Sequence, residues 1–157
     1  MPLDPGFAAD CPYGPGAQLL DEIVSIDRET STIVARMLPT DDQPITRDQR
    51  VHPERHPRHV SGGLMIHATG ILGFAHGYFL LGLRHADGWI GYGTRIHEAR
   101  FRKMGVMGVP IELACKATLI RRIRNSMIGR YEFRFRQAGD LIYEGDQTAM
   151  WTQGDQG

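Results

Sequence analysis

The second half of the chain alternates apolar and polar positions at a period of two. In Ile111–Arg122, the residues Leu113, Cys115, Ala117 and Leu119 share one face, and in Met127–Gln137, Tyr131, Phe133 and Phe135 do the same. That period belongs to half-buried strands. Trp89–Phe101, with a glycine-rich start, and Leu141–Thr152 predict two more strands. Upstream, Leu19–Asp27 and the β-branched Ser31–Leu38 predict a pair joined by a polar turn. Between the two groups the period changes. Leu64, Met65, Ala68, Ile71, Leu72, Ala75 and Phe79 fall at helical spacing, which predicts one long helix from Gly62 towards Leu83. Residues 1–16, rich in proline and glycine, predict an irregular arm, and residues 17–153 a single domain.

The helix is defined by what it lacks. No Asp or Glu lies between Glu54 and Asp87, and Gly63, Gly70, Gly73, Gly77 and Gly82 punctuate it. Each glycine weakens an exposed helix by ~1 kcal/mol relative to alanine. A helix so apolar and so rich in glycine is expected to be buried, with backbone or sheet packed closely on it. Two strands, one helix and four strands then predict an α+β fold: an antiparallel sheet wrapped around one long central helix. The run is long enough to span a membrane. Its histidines, its glycines and its place between strands predict a core helix and no membrane.

Charge narrows the partners. Eighteen basic residues balance eighteen acidic ones in 157, so broad binding to nucleic acid is not expected. Arg95, Arg100, Arg102 and Lys103, with Arg121, Arg122 and Arg124, read as solvated strand faces; the alternative is a local anion-reading surface. Two distant cysteines, Cys11 and Cys115, predict neither a disulfide framework nor a cysteine zinc site. Met1–Asp10 carries no basic stretch followed by an apolar run, and a cytoplasmic location is expected.

The candidate chemistry sits in His52–Leu83, which reads H-P-E-R-H-P-R-H-V-S-G-G-L-M-I-H-A-T-G-I-L-G-F-A-H-G-Y-F-L-L-G-L. Ser61 is placed to cap the helix, and Gly62 and Gly63 to present first-turn amides. His52, His56 and His59 raise the question of a metal. Pro53 and Pro57 spoil helical ligand spacing and no acidic ligand is near in sequence, so no metal and no cofactor is expected. His76 and His97 read as structural and as surface or interface residues, respectively.

These stretches resemble the hotdog-fold 3-hydroxyacyl-acyl-carrier-protein dehydratases and, through them, the related hotdog thioesterases. The resemblance runs from about Pro12 to Trp151. L-L-D-E-I-V-S-I-D is similar to that family's first strand. His52-Pro53 through S-G-G-L-M-I-H-A is similar to its histidine loop and helix start, and Ala99-Arg100-Phe101-Arg102-Lys103 through Val109-Pro110 to its Val-Arg-Phe-Arg-Arg-Pro-Val segment. The resemblance implies an acyl thioester, of acyl carrier protein or coenzyme A, as substrate, and a homodimer or higher homo-oligomer with sites shared between chains. It implies a loop histidine, His52 or His56, as one catalytic group. The family's helix carboxylate falls on His67, which would be its partner. Gly62 and Gly63 would hold the thioester carbonyl, Ser61 would support them, and Thr69 would hydrogen-bond near His67. Removal of water from a 3-hydroxyacyl thioester is the first reading. Thioester hydrolysis and acyl binding without turnover are the alternatives.

Overall fold

The computed structural model describes residues 1–154. Six strands form one antiparallel sheet in the order β1-β2-β6-β7-β8-β4. Strands β1 (Glu22–Asp27) and β2 (Thr32–Met37) form the first hairpin. Its turn is built by Asp27, whose Oδ1 accepts from the amides of Glu29 at 2.9 Å and Thr30 at 3.2 Å. Strands β4 (Trp89–Phe101), β6 (Ile111–Ile123), β7 (Ser126–Gln137) and β8 (Asp140–Gln153) follow the helix, as the alternation predicts. Between β7 and β8 the turn residues Ala138 and Gly139 both have positive φ, 49° and 83°. That conformation matches the twist of a two-residue hairpin and fixes Gln137 opposite Asp140.

Helix α3 (Gly62–His76) packs on the concave face of this sheet. Leu64, Ala68, Ile71, Leu72 and Ala75 are fully buried, against Ile33, Ala35, Met37, Ile111, Leu113 and Phe135 from the inward positions of β2, β6 and β7. Each buried aliphatic side chain contributes roughly 1.5–3 kcal/mol over its exposed state. The sheet therefore supplies the partner that the helix's glycines and missing charges demand, and the fold is the hotdog arrangement. Gly62–Leu81 is long and apolar enough to cross a membrane by composition, and half of that window is buried inside the protein.

Three features differ from the sequence expectation. The helix does not run evenly to Leu83: after His76 it widens into one π-helical turn, Gly77–Leu81, and Gly82 ends it at φ 68°. Residues 1–16 are not irregular throughout. Pro5–Asp10 forms helix α1 because Pro5 takes the first position and Asp4 Oδ1 accepts from the Phe7 amide at 2.9 Å. Phe7 is 1% exposed and meets Tyr78 and Phe79 at 5.6 Å between ring centroids. A second short helix, α2 (Pro15–Gln18), ends in Gln18, whose amide donates to the carbonyls of Ala8 and Tyr13 and ties the segment down. Finally, β3 (His59–Val60) and β5 (Gly105–Val106) pair as a small ribbon where loops were expected.

Candidate functional site

Helix α3 and strand β4 leave a groove between them. Ile66, His67, Gly70 and Phe74, spaced by one and two helical turns, line the helix side. Gly91, Tyr92 and Gly93 line the strand side. The wide part holds about 440 Å³. It leads into a narrow extension of about 60 Å³, whose walls add Gly73, Tyr131, Phe133, Ala149 and Trp151. Gly70 and Gly73 on the helix and Gly93 on the strand leave open space between these side chains.

His67 stands at the wide part with a defined tautomer. Its Nε2 lies 2.8 Å from the Ala17 carbonyl oxygen. A carbonyl only accepts, so Nε2 carries the proton and the neutral ring keeps its lone pair on Nδ1. Tyr13 packs edge-on against the imidazole, with 4.7 Å between centroids. Both contacts come from the N-terminal segment, so the same anchoring that buries Phe7 orients the helix histidine. Deeper in the groove, Gln147 Nε2 donates to Thr69 Oγ1 at 2.8 Å, and Thr69 donates to the Ile66 carbonyl at 2.6 Å. This chain fixes a polar junction between the wide and narrow parts.

Trp151 closes the narrow end. Its indole lies so near Gly77 that a Cβ there would sit 2.7 Å from the ring, and it rests closer still on Gly91. Phe74 meets it edge-to-face at 5.6 Å. Tyr131 Oη and Trp151 Nε1 are buried at this end, neither with a partner of good geometry. Burial pushes the Tyr131 hydroxyl well above its ordinary pKa, so it remains protonated.

The helix start behaves as the sequence predicts at Ser61, whose Oγ accepts from the Leu64 amide at 3.1 Å. Its carbonyl takes the Met65 amide at 3.1 Å. No acceptor meets the Gly62 or Gly63 amide among the described residues. Gly63 lies one turn before His67 on the same helix stripe. The structure thus brings Gly63 and His67 to one stripe of α3, whereas Thr69, two residues on, lies on the other flank of the groove and bonds to Ile66 and Gln147 instead of to His67.

It does not bring His52 or His56 to the groove. The two residues pair through their main chains at 2.8 and 2.9 Å, in an exposed loop. His52 Nδ1 accepts from the amides of Glu54 at 3.2 Å and Arg55 at 3.0 Å, which commits that nitrogen to the turn. The loop histidine with a free lone pair against a cavity wall is instead His59. Its Nδ1 lies 2.8 Å from the Pro57 carbonyl, which places the proton there and leaves Nε2 available. With Gly62, Met65, Phe101, Arg102 and Lys103 it lines a second cavity of about 500 Å³ beside the helix start. Arg102 and Lys103 are paired with Glu144 at 3.1 Å and Asp140 at 2.6 Å. His76 sits outside both cavities. It is fully buried, with Nε2 3.0 Å from Ser31 Oγ, and burial lowers its pKa. His97 is exposed and meets Thr148 Oγ1 at 2.6 Å. Among the described residues no group of three His, Cys, Asp or Glu side chains is placed to hold a metal ion.

Sequence reasoning missed Tyr13, Ala17, Gln147 and Trp151, and weighed His59 only as a metal ligand. One signal was legible: the W-I-G-Y-G start of β4 puts two glycines on one strand face, the usual mark of close approach by another group. The contacts of Ala17 with His67 and of Gln147 with Thr69 span 50 and 78 residues and leave no local pattern.

No family model matches the sequence, and no curated protein sequence matches it. Solved structures do match its fold. A phenylacetic acid degradation-related protein from Ralstonia eutropha JMP134 is 18% identical, with a TM-score of 0.62 over 92% of this chain and 95% of that one. A thioesterase from Haemophilus influenzae is 15% identical, with a TM-score of 0.61 over 93% of this chain and 87% of that one. A dehydratase heterocomplex from Xenorhabdus doucetiae is 12% identical, with a TM-score of 0.65 over 98% of this chain and 94% of that one. The chain therefore has the hotdog fold, an antiparallel sheet wrapped around one central helix, that these thioesterase and dehydratase structures share.

Proposed function

We propose that this protein acts on acyl thioesters, with the acyl group in the groove between α3 and β4 and the His67 imidazole moving the proton. One observation carries this reading: the Ala17 carbonyl holds a proton of His67 on Nε2, which leaves Nδ1 without a hydrogen-bond partner in a residue that lines the groove. An imidazole held in one orientation by a hydrogen bond can serve as a general base. The thioesterase and dehydratase names of structures with this fold agree with the substrate class.

Hydrolysis is the reaction that the geometry of one chain supports best. Nδ1 of His67 takes a proton from water as its oxygen attacks the thioester carbonyl carbon. The carbon–sulfur bond then breaks, and the departing thiolate takes the proton back from the imidazolium. No carboxylate lines the groove, and one base is enough for these steps. The Gly63 amide, one turn before His67 on the same helix stripe, suits the developing oxyanion, whereas Gly62 lines the second cavity.

Dehydration of a 3-hydroxyacyl thioester is the second reading, favoured by the edge strand β4. That strand needs a partner: Ile90, Tyr92 and Ile96 are about half exposed along it. Pairing with a second copy along this edge would cover them and would let a loop histidine from one chain serve as acid to His67 of the other. The deciding experiment is product analysis on 3-hydroxyacyl and saturated acyl thioesters, on coenzyme A and on acyl carrier protein. Free thiol from saturated substrates supports hydrolysis, and a conjugated double bond supports dehydration. Binding without turnover leaves the protein as an acyl-binding module and rejects both.

A further inference from the structure

The groove has a built-in end. Its wide part, at His67, narrows about sevenfold in volume into the extension that stops at Trp151. The indole cannot swing aside cheaply, since Gly77 and Gly91 hold it from two sides and Phe74 from a third. The extension's side walls are aromatic, with Phe74, Tyr92, Tyr131 and Phe133 around the glycine faces. Aromatic walls favour flat groups, through offset and edge-to-face contact. Behind the closed end, the Tyr131 hydroxyl and the Trp151 N–H are buried.

We propose that Trp151 is the acyl-length stop, and that the substrate carries a compact acyl group, a single aromatic ring or a short chain, in place of a long fatty chain. The inference rests on the acyl-thioester reading above. The helix glycines supply the companion determinant. A Cβ built on Gly73 meets nothing within 4 Å, so a side chain there enters open space in the extension. Gly73 lines the narrow part alone, which separates its effect from anything at His67.

The test is a panel of butyryl-, hexanoyl-, benzoyl-, phenylacetyl-, dodecanoyl- and palmitoyl-coenzyme A, read by kcat/KM and, independently, by calorimetric titration of binding. The expected result is a preference of about tenfold or more for the compact members over dodecanoyl and palmitoyl. Trp151→Ala should move that preference towards longer chains. Because Trp151 is buried and its removal could unfold the chain, Gly73→Val is the second variant. It should lose the ring-bearing substrates while keeping butyryl and keeping its melting temperature. Equal use of long and compact chains by the parent protein overturns the length stop and leaves the thioester reading intact. Binding of compact but not long thioesters without turnover supports the stop and rejects the enzymatic reading. Binding of no thioester rejects both.

Discussion

The imidazole of His67 and the carbonyl of Ala17 meet across 2.8 Å, although fifty residues separate them in sequence. The N-terminal segment thereby sets which nitrogen of the helix histidine is free. His67→Ala should lower turnover of any accepted thioester by about 10²–10⁴-fold, the range for loss of a general base. The side chain is half-buried at a groove, so the melting temperature should hardly move. Steady-state kinetics beside a thermal melt checks this; full activity of the variant would remove His67 from the chemistry.

Phe7 is the peg that fixes that segment. Phe7→Ala should destabilise the protein by about 3–5 kcal/mol, as for other fully buried phenylalanines. Denaturant unfolding measures the loss. Because Tyr13 and Ala17 follow in the same anchored stretch, activity should fall under conditions where the variant is still folded.

Among the loop histidines, His59 is expected to matter most. Its free nitrogen lines a cavity with Gly62, whereas His56 is exposed and His52 Nδ1 is occupied by two amides. His59→Ala should lower kcat/KM by roughly tenfold or more, and His56→Ala by much less. The opposite ranking would return the role to His56.

His76 makes stability depend on pH. Burial lowers its pKa below the value of 6.5 in the unfolded chain, against a smaller opposing effect of the Ser31 main chain. The unfolded state therefore binds the proton more readily. The stability is fully present above pH 6.5 and is lost as pH falls towards the lowered folded value, at up to about 1.4 kcal/mol per pH unit. Urea melts between pH 8 and pH 5 should show that slope, and His76→Gln should flatten it.

The open edge of β4 gives a prediction about assembly. Ile96→Lys puts a charge among its exposed apolar residues and should raise the dissociation constant of a homodimer formed there, without changing the fold. Sedimentation of parent and variant at micromolar concentration decides it; a monomeric parent rejects the dimer.

The fold was legible because it is written in local periods. The alternation of Leu113, Cys115 and Ala117, and of Tyr131, Phe133 and Phe135, gives strands whatever else the chain does. A run with six glycines and no charge from Gly62 to Leu83, set between strands, reads as a buried helix. The site was less legible because its parts meet only in three dimensions. Ser61 as cap could be read from spacing, and His67 was singled out only by the family resemblance. The commitment of His52 to its own turn could not, since it depends on a side chain folding back on amides two and three residues ahead. Nor could Asp4, Pro5 and Phe7 be told from loop residues, because a six-residue helix has too few turns to show a period.

The bed of glycine under Trp151 also limits how the groove can diverge. A side chain at Gly70, Gly73 or Gly93 meets no atom within 4 Å, so one substitution at any of them shortens or narrows the groove at no packing cost. Lengthening it requires displacing an indole wedged between Gly77 and Gly91, where any added carbon collides with the ring. Descendants of this chain can therefore lose acyl reach at several positions without cost, but can gain reach only by replacing Trp151, at the expense of core packing.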